Sequence, residues 1–186
     1  FRDKVVAADL NNEALLKALK VEINDKRGIW KGKEVENDIS AGLAKINAAL
    51  QTIERTKGLK EQLSGIESQL AANPPAEQLA KLFTQVRDTD LAAQATDAGG
   101  EHKTRYDSAV KNVSRAYVDA LRQKATAAAG ATKGEDLAPY GQLEDALRTL
   151  FDTASATNDV DGIKTYGDAY KQCIVEVTGI TDKLFD

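Results

Sequence analysis

The chain has 186 residues, 42% of them hydrophobic and 29% charged, with a formal net charge of −4. That length supports one domain with a sizeable core, and aromatics at 5% leave the core mainly to Leu, Ile, Val and Ala. Residues 1–72 carry a balance of +1 and the remainder −5, with no Lys/Arg run in either part, so neither nucleic acid nor an anionic membrane surface is an expected partner.

The first segment predicts a helix over residues 3–27, with Val6, Leu10, Leu16, Leu19 and Ile23 at helical spacing and Gly28 ending it. Trp30 follows in the connector Gly28-Ile29-Trp30-Lys31-Gly32, where a Trp plugs the end of a bundle or, if exposed, reads a ligand. The second segment covers 33–72, roughly 60 Å if unbroken at 1.5 Å per residue. Its stripe Val35, Ile39, Leu43, Ile46, Leu50 and Ile53 slips at residues 54–58 and resumes at Leu59, Leu63, Ile66 and Leu70, which predicts a local bend.

Asn73-Pro74-Pro75 predicts a helix start with Asn73 as N-cap. A third helix then carries Leu79, Leu82, Phe83, Val86 and Leu91, thinning to Ala95 and broken at Gly99-Gly100. A fourth carries Tyr106, Val110, Val113, Tyr117, Leu121, Ala125 and Ala128 and dissolves into a loop at 130–134. After Pro139 a shorter helix bears Leu143, Leu147, Leu150 and Phe151. Asn158-Asp159 then starts the last, with Ile163, Tyr166, Tyr170, Ile174, Val177, Ile180 and Leu184. No β-type alternation between hairpin turns is present. The expected fold is all-α: a single extended domain over 1–186, an elongated up-and-down bundle of long helices with short helices at one end.

Few chemistries have the residues they need. His102 is the single histidine, beside Glu101, so a transition-metal site and a serine or cysteine triad both lack partners. Cys173, the one cysteine, excludes an internal disulfide and reads as core packing. Asp159-Val160-Asp161-Gly162 lacks the remaining ligands of a calcium loop and reads as a helix cap. Glu34/Asp38 and Glu144/Asp145 are expected on solvated faces opposite the apolar stripes, and Tyr106, Tyr117, Tyr166 and Tyr170 on the stripes, with hydroxyls at the rim. No catalytic residue, cofactor or metal is expected. Asn112-Val113-Ser114 is an N-glycosylation acceptor triplet with Asn112 flanking the stripe.

The Ala-rich patches Ala71-Ala72-Asn73-Pro74, Ala92-Ala93-Gln94-Ala95 and Lys124–Ala131 resemble the ectodomains of African trypanosome surface coat proteins. The family is the glutamic acid/alanine-rich protein of the insect-stage coat and its alanine-rich relatives. The likeness runs over the whole chain in length, composition and helix layout. It implies a bundle standing off the plasma membrane, on the extracellular face, on a C-terminal glycolipid anchor. The implied role is a dense protective layer touching neighbouring coat molecules or a host or vector ligand. A chain without Met that opens on Phe1 fits either a trimmed chain of any origin or a mature secreted one, with any signal peptide or C-terminal anchor signal outside it. Two alternatives stand beside this reading. One is a surface receptor or adhesin using a loop-rich end with Trp30 or Tyr140; the other is a bacterial secreted helical scaffold.

Overall fold

The structure is a computed structural model that describes residues 2–131 and 137–185. The described residues are all-α and 87% helical. Among the described residues the helices are α1 (Arg2–Val6), α2 (Glu13–Asp25), α3 (Arg27–Trp30), α4 (Glu36–Ala71), α5 (Ala76–Val86), α6 (Thr89–Ala98), α7 (Gly100–Ala131), α8 (Ala138–Ala156) and α9 (Val160–Phe185).

Local chemistry sets these boundaries. The expected helix over 3–27 is two helices, because Asp9 and Asn12 interrupt it. Asp9 accepts from the Asn11 amide, and Asn12 caps α2 by accepting from the Leu15 amide. Gly28 does not end α2; it lies inside the single turn of α3. Asn73 is not an N-cap. At φ 49° it takes the left-handed conformation that closes α4, and Pro75 holds the N-cap position of α5. The third predicted helix divides at Asp88, whose carboxylate accepts from the Asp90 and Leu91 amides and so begins α6. Gly99 and Gly100, at φ 63° and 46°, turn the chain from α6 into α7.

α4 does not break at 54–58. The slip in its stripe has another cause: the helix changes partners. Its N-terminal half buries Ile39 and Ile46, with Leu43, Leu50 and Ile53 half-buried, against Val5, Leu16, Leu19, Ile23 and Trp30. Its C-terminal half buries Leu59, Leu63 and Ile66 against Leu82 and Val86 of α5, Leu91 and Ala95 of α6, and Tyr106, Ala109 and Val113 of α7. At about 100° per residue the two stripes lie roughly 200° apart around the helix. The α1–α3 unit therefore sits on one side of α4, and α5–α7 on nearly the opposite side.

α7 continues the series. Beyond the middle core its stripe runs on to Leu121 and Ala125, which pack with Tyr140, Leu143, Ala146 and Leu147 of α8 and Cys173 of α9. Among the described side chains of the α9 stripe the fully buried one is Cys173, while the expected Ile174 is 39% exposed. Phe83 meets Tyr117 at 5.0 Å between ring centroids, and the Tyr106 hydroxyl donates to the Val86 carbonyl at 2.8 Å. Those two pairs make α5 antiparallel to α7, so α7 runs in the same sense as α4 and beyond its end. The result is three packing centres in series, with short helices gathered at the α1–α3 end and lining the middle. Collinear α4 and α7 would give a span on the order of 80 Å.

Gly42 seats α1. It is buried, and a Cβ there would overlap the Val5 side chain. Gly42→Leu is therefore expected to cost about 1–3 kcal/mol by overpacking. Hydrogen exchange checks it: amides of α1 and α2 lose protection while those of α8 and α9 keep theirs.

Candidate functional site

The residues singled out from sequence do not converge. Trp30 is 7% exposed in the α1–α4 core and Tyr140 5% exposed in the α7–α9 core, so neither ring is presented to solvent. Residues 132–136, part of the loop expected beside Tyr140, lie outside the described residues. Asn112 is exposed on α7, but Val113 is fully buried and Ser114 is 1% exposed, with a hydroxyl that has no hydrogen-bond partner. A reader of the folded triplet would meet only the Asn112 amide. His102 is half-buried in the first turn of α7. Among the described residues no group of His, Cys, Asp or Glu is arranged to hold a metal ion, and no helix is long and apolar enough to cross a membrane.

Cys173 is fully buried, and desolvation pushes its thiol above the ordinary value, as expected of a packing cysteine. Asp159 caps α9 by accepting from the Gly162 amide at 3.0 Å. The tyrosine rings lie on the stripes: Tyr106 is buried with its hydroxyl on a backbone carbonyl, and burial raises its pKa. Glu144 departs from expectation. It is half-buried rather than on a solvated face, and accepts from the Tyr170 hydroxyl at 3.1 Å, because α8 packs on α9 as well as α7 and Glu144 lies at the α9 edge of that contact.

Charged side chains join the elements instead. Glu13 bridges Lys17, at 2.8 Å, and Lys57 of α4. Glu22 bridges Lys26 at 2.7 Å and Lys4 of α1 at 2.9 Å, and Arg2 pairs with Asp38 at 2.6 Å. Arg105 of α7 grips Glu67 of α4 through two nitrogens, at 2.6 and 2.5 Å, and also donates to Ser64 at 2.9 Å. The bidentate geometry fixes how α7 is rotated against α4.

A concavity that the sequence reading missed lies between α4 and α6. It is a cleft of about 450 Å³ lined by Thr52, Arg55, Thr56, Asp90, Gln94 and Asp97, with two alanines. Its signal in the sequence was the polar stretch after Ile53, read above as a bend.

Comparison with family models, with curated proteins and with solved structures finds no match to this chain.

Lysine hydrogen bonds hold the Glu13 and Glu22 carboxylates at about 2, below the ordinary 4.5. Because the folded values are depressed, their stabilising contribution is present above 4.5 and fades as pH falls toward 2. Both pairs are exposed and screened by salt, so the contribution is modest. Acidification through that window is expected to loosen α1 and α2 before α7–α9. The check is hydrogen exchange at low ionic strength; uniform loosening would contradict it.

Proposed function

We propose that the chain is a structural coat protein of a parasite cell surface, of the kind formed by the trypanosome glutamic acid/alanine-rich proteins. In this reading it stands on the extracellular face of the plasma membrane, held by a C-terminal lipid anchor. The observation that carries the proposal is the serial arrangement of three cores along α4 and α7. Joining small cores end to end lengthens a chain without widening it, which suits a molecule whose height and close lateral packing are its task.

The surface supports the same reading. Charges of both signs are interspersed, and many are paired, as in Lys103–Asp107 and Lys26–Glu22. The exposed large apolar side chains Val6, Leu10, Val21, Ile29, Phe151, Val160, Ile174 and Val175 are distributed over α1, the α1–α2 connector, α2, α3, α8 and the start and middle of α9. A surface of that kind tolerates crowding by its own copies without a strong adhesive patch. Neighbouring coat molecules are the first partners this implies. A host or vector ligand at a loop-rich end has less support, because Trp30 and Tyr140 are both buried.

Antibodies raised against the folded chain are expected to label intact parasites. A phospholipase C specific for glycosylphosphatidylinositol is expected to release the protein into the medium. Labelling only after permeabilisation, or retention after the phospholipase, would overturn the reading.

A further inference from the structure

The cleft between α4 and α6 is a place where the packing pattern is abandoned on both walls. On α4, Thr52, Arg55 and Thr56 lie on the same side of the helix as Leu59, Leu63 and Ile66. Continuing that stripe toward the N-terminus by fours and threes from Leu59 leads to Thr56 and Thr52. Apolar residues there would have closed the helix pair. On α6 the facing residues Asp90, Ala93, Gln94 and Asp97 recur at i, i+3, i+4 and i+7, a single face of small or polar side chains beside the packed Leu91 and Ala95. The opening between them measures about 450 Å³, within the range of small-molecule sites.

The donors and acceptors in it are not mutually satisfied. Among the described residues no ion pair links Arg55 to Asp90 or Asp97. The Thr52 hydroxyl donates to the Ala48 carbonyl at 3.1 Å and the Thr56 hydroxyl to the Thr52 carbonyl at 2.9 Å. Both hydroxyl oxygens are left with lone pairs for a donor in the cleft. The charge set is thus one guanidinium against two carboxylates, with two hydroxyl acceptors beside the guanidinium on the α4 wall. Asp90 and Asp97 are two helical turns apart, about 10 Å along α6.

We propose that this cleft binds a free amino acid with a cationic side chain, of the lysine or arginine class. Such a ligand inverts the charges of the cleft: its carboxylate meets Arg55, and its α-ammonium and side-chain cation meet Asp90 and Asp97. The two cations of an extended diamino acid span a distance comparable to the separation of those carboxylates. A simple anion would be repelled by two carboxylates, and a simple cation would lose the Arg55 contact. A sugar would find no aromatic ring, since none lines the cleft. This site stands independently of the coat reading.

The test titrates L-arginine and L-lysine into the isotopically labelled chain at low salt, followed by amide NMR shifts. Saturable shifts confined to residues 52–56 and 90–98 are expected. Arg55→Ala and Asp97→Asn, both at exposed positions, are each expected to weaken binding by about tenfold, the loss of one charge-assisted contact. Putrescine, which lacks the carboxylate, should bind the wild type more weakly than arginine does and should lose nothing on Arg55→Ala, which removes a like charge. Three results would overturn the proposal: no saturable shift; shifts that ignore both substitutions; or N-acetyl-arginine amide or L-glutamate binding as well as L-arginine, the first pointing to peptide side chains and the second to adventitious polar contact.

Discussion

One helix has to bury two apolar stripes that lie on nearly opposite sides of it. Ile39 and Ile46 of α4 are drawn from water only if a partner covers one side, while Leu59, Leu63 and Ile66 require a partner on the other. Each such side chain stabilises the fold by roughly 1.5–3 kcal/mol when fully buried, so neither stripe can be left open in a chain that is marginally stable overall. Placing both partners on one side would strand the other stripe. The α1–α3 unit and the α5–α7 unit are therefore displaced along α4 as well as around it. α7 also changes partners along its length, but on one continuing stripe: its N-terminal half lies in the middle core and its C-terminal half packs with α8 and α9.

The polar contacts follow from that layout. The α1–α3 unit meets the rest of the chain almost wholly through α4, and exposed ion pairs add orientation to its apolar contact, Glu13 to Lys57 and Arg2 to Asp38, while Glu22 to Lys4 joins α2 to α1 inside the unit. At the middle core, where α4 and α7 run side by side, the Arg105–Glu67 pair fixes their rotation. The cleft between α4 and α6 falls on the side of α4 that carries the second stripe, just before that stripe begins at Leu59. Polar residues cost nothing to packing there, which leaves them open to another role.

The all-α class was legible because apolar residues at threes and fours recur through most of the chain and no β alternation competes. Boundaries were legible where one side chain sets them, as at Gly99-Gly100 and Asp159. They were misread where two mechanisms share the same residues. Asn73 suits an N-cap, yet its left-handed conformation at the end of α4 serves the turn better. The Asp88 cap was missed although Val86 and Leu91 are five residues apart, about 140° out of step on a single helix, the interval that marks the break. The slip at 54–58 was seen but assigned to the backbone, since a lone stripe does not tell a bend from a change of partner. The same blindness to partners placed Glu144 in solvent, since one stripe gives no sign that α8 packs on two helices. It also missed the cleft, whose halves are some forty residues apart in sequence and meet only once α6 folds back along α4.

In the proposed coat role function is carried by length, and length comes from the stagger of α4 and α7. Small-angle X-ray scattering of the purified monomer tests that claim most directly. A compact chain of this size would have a radius of gyration of about 16 Å. The account predicts a value well above that, with a maximum dimension on the order of 80 Å. A radius near the compact value, with a symmetric pair-distance distribution, would contradict the serial arrangement and the spacer role built on it.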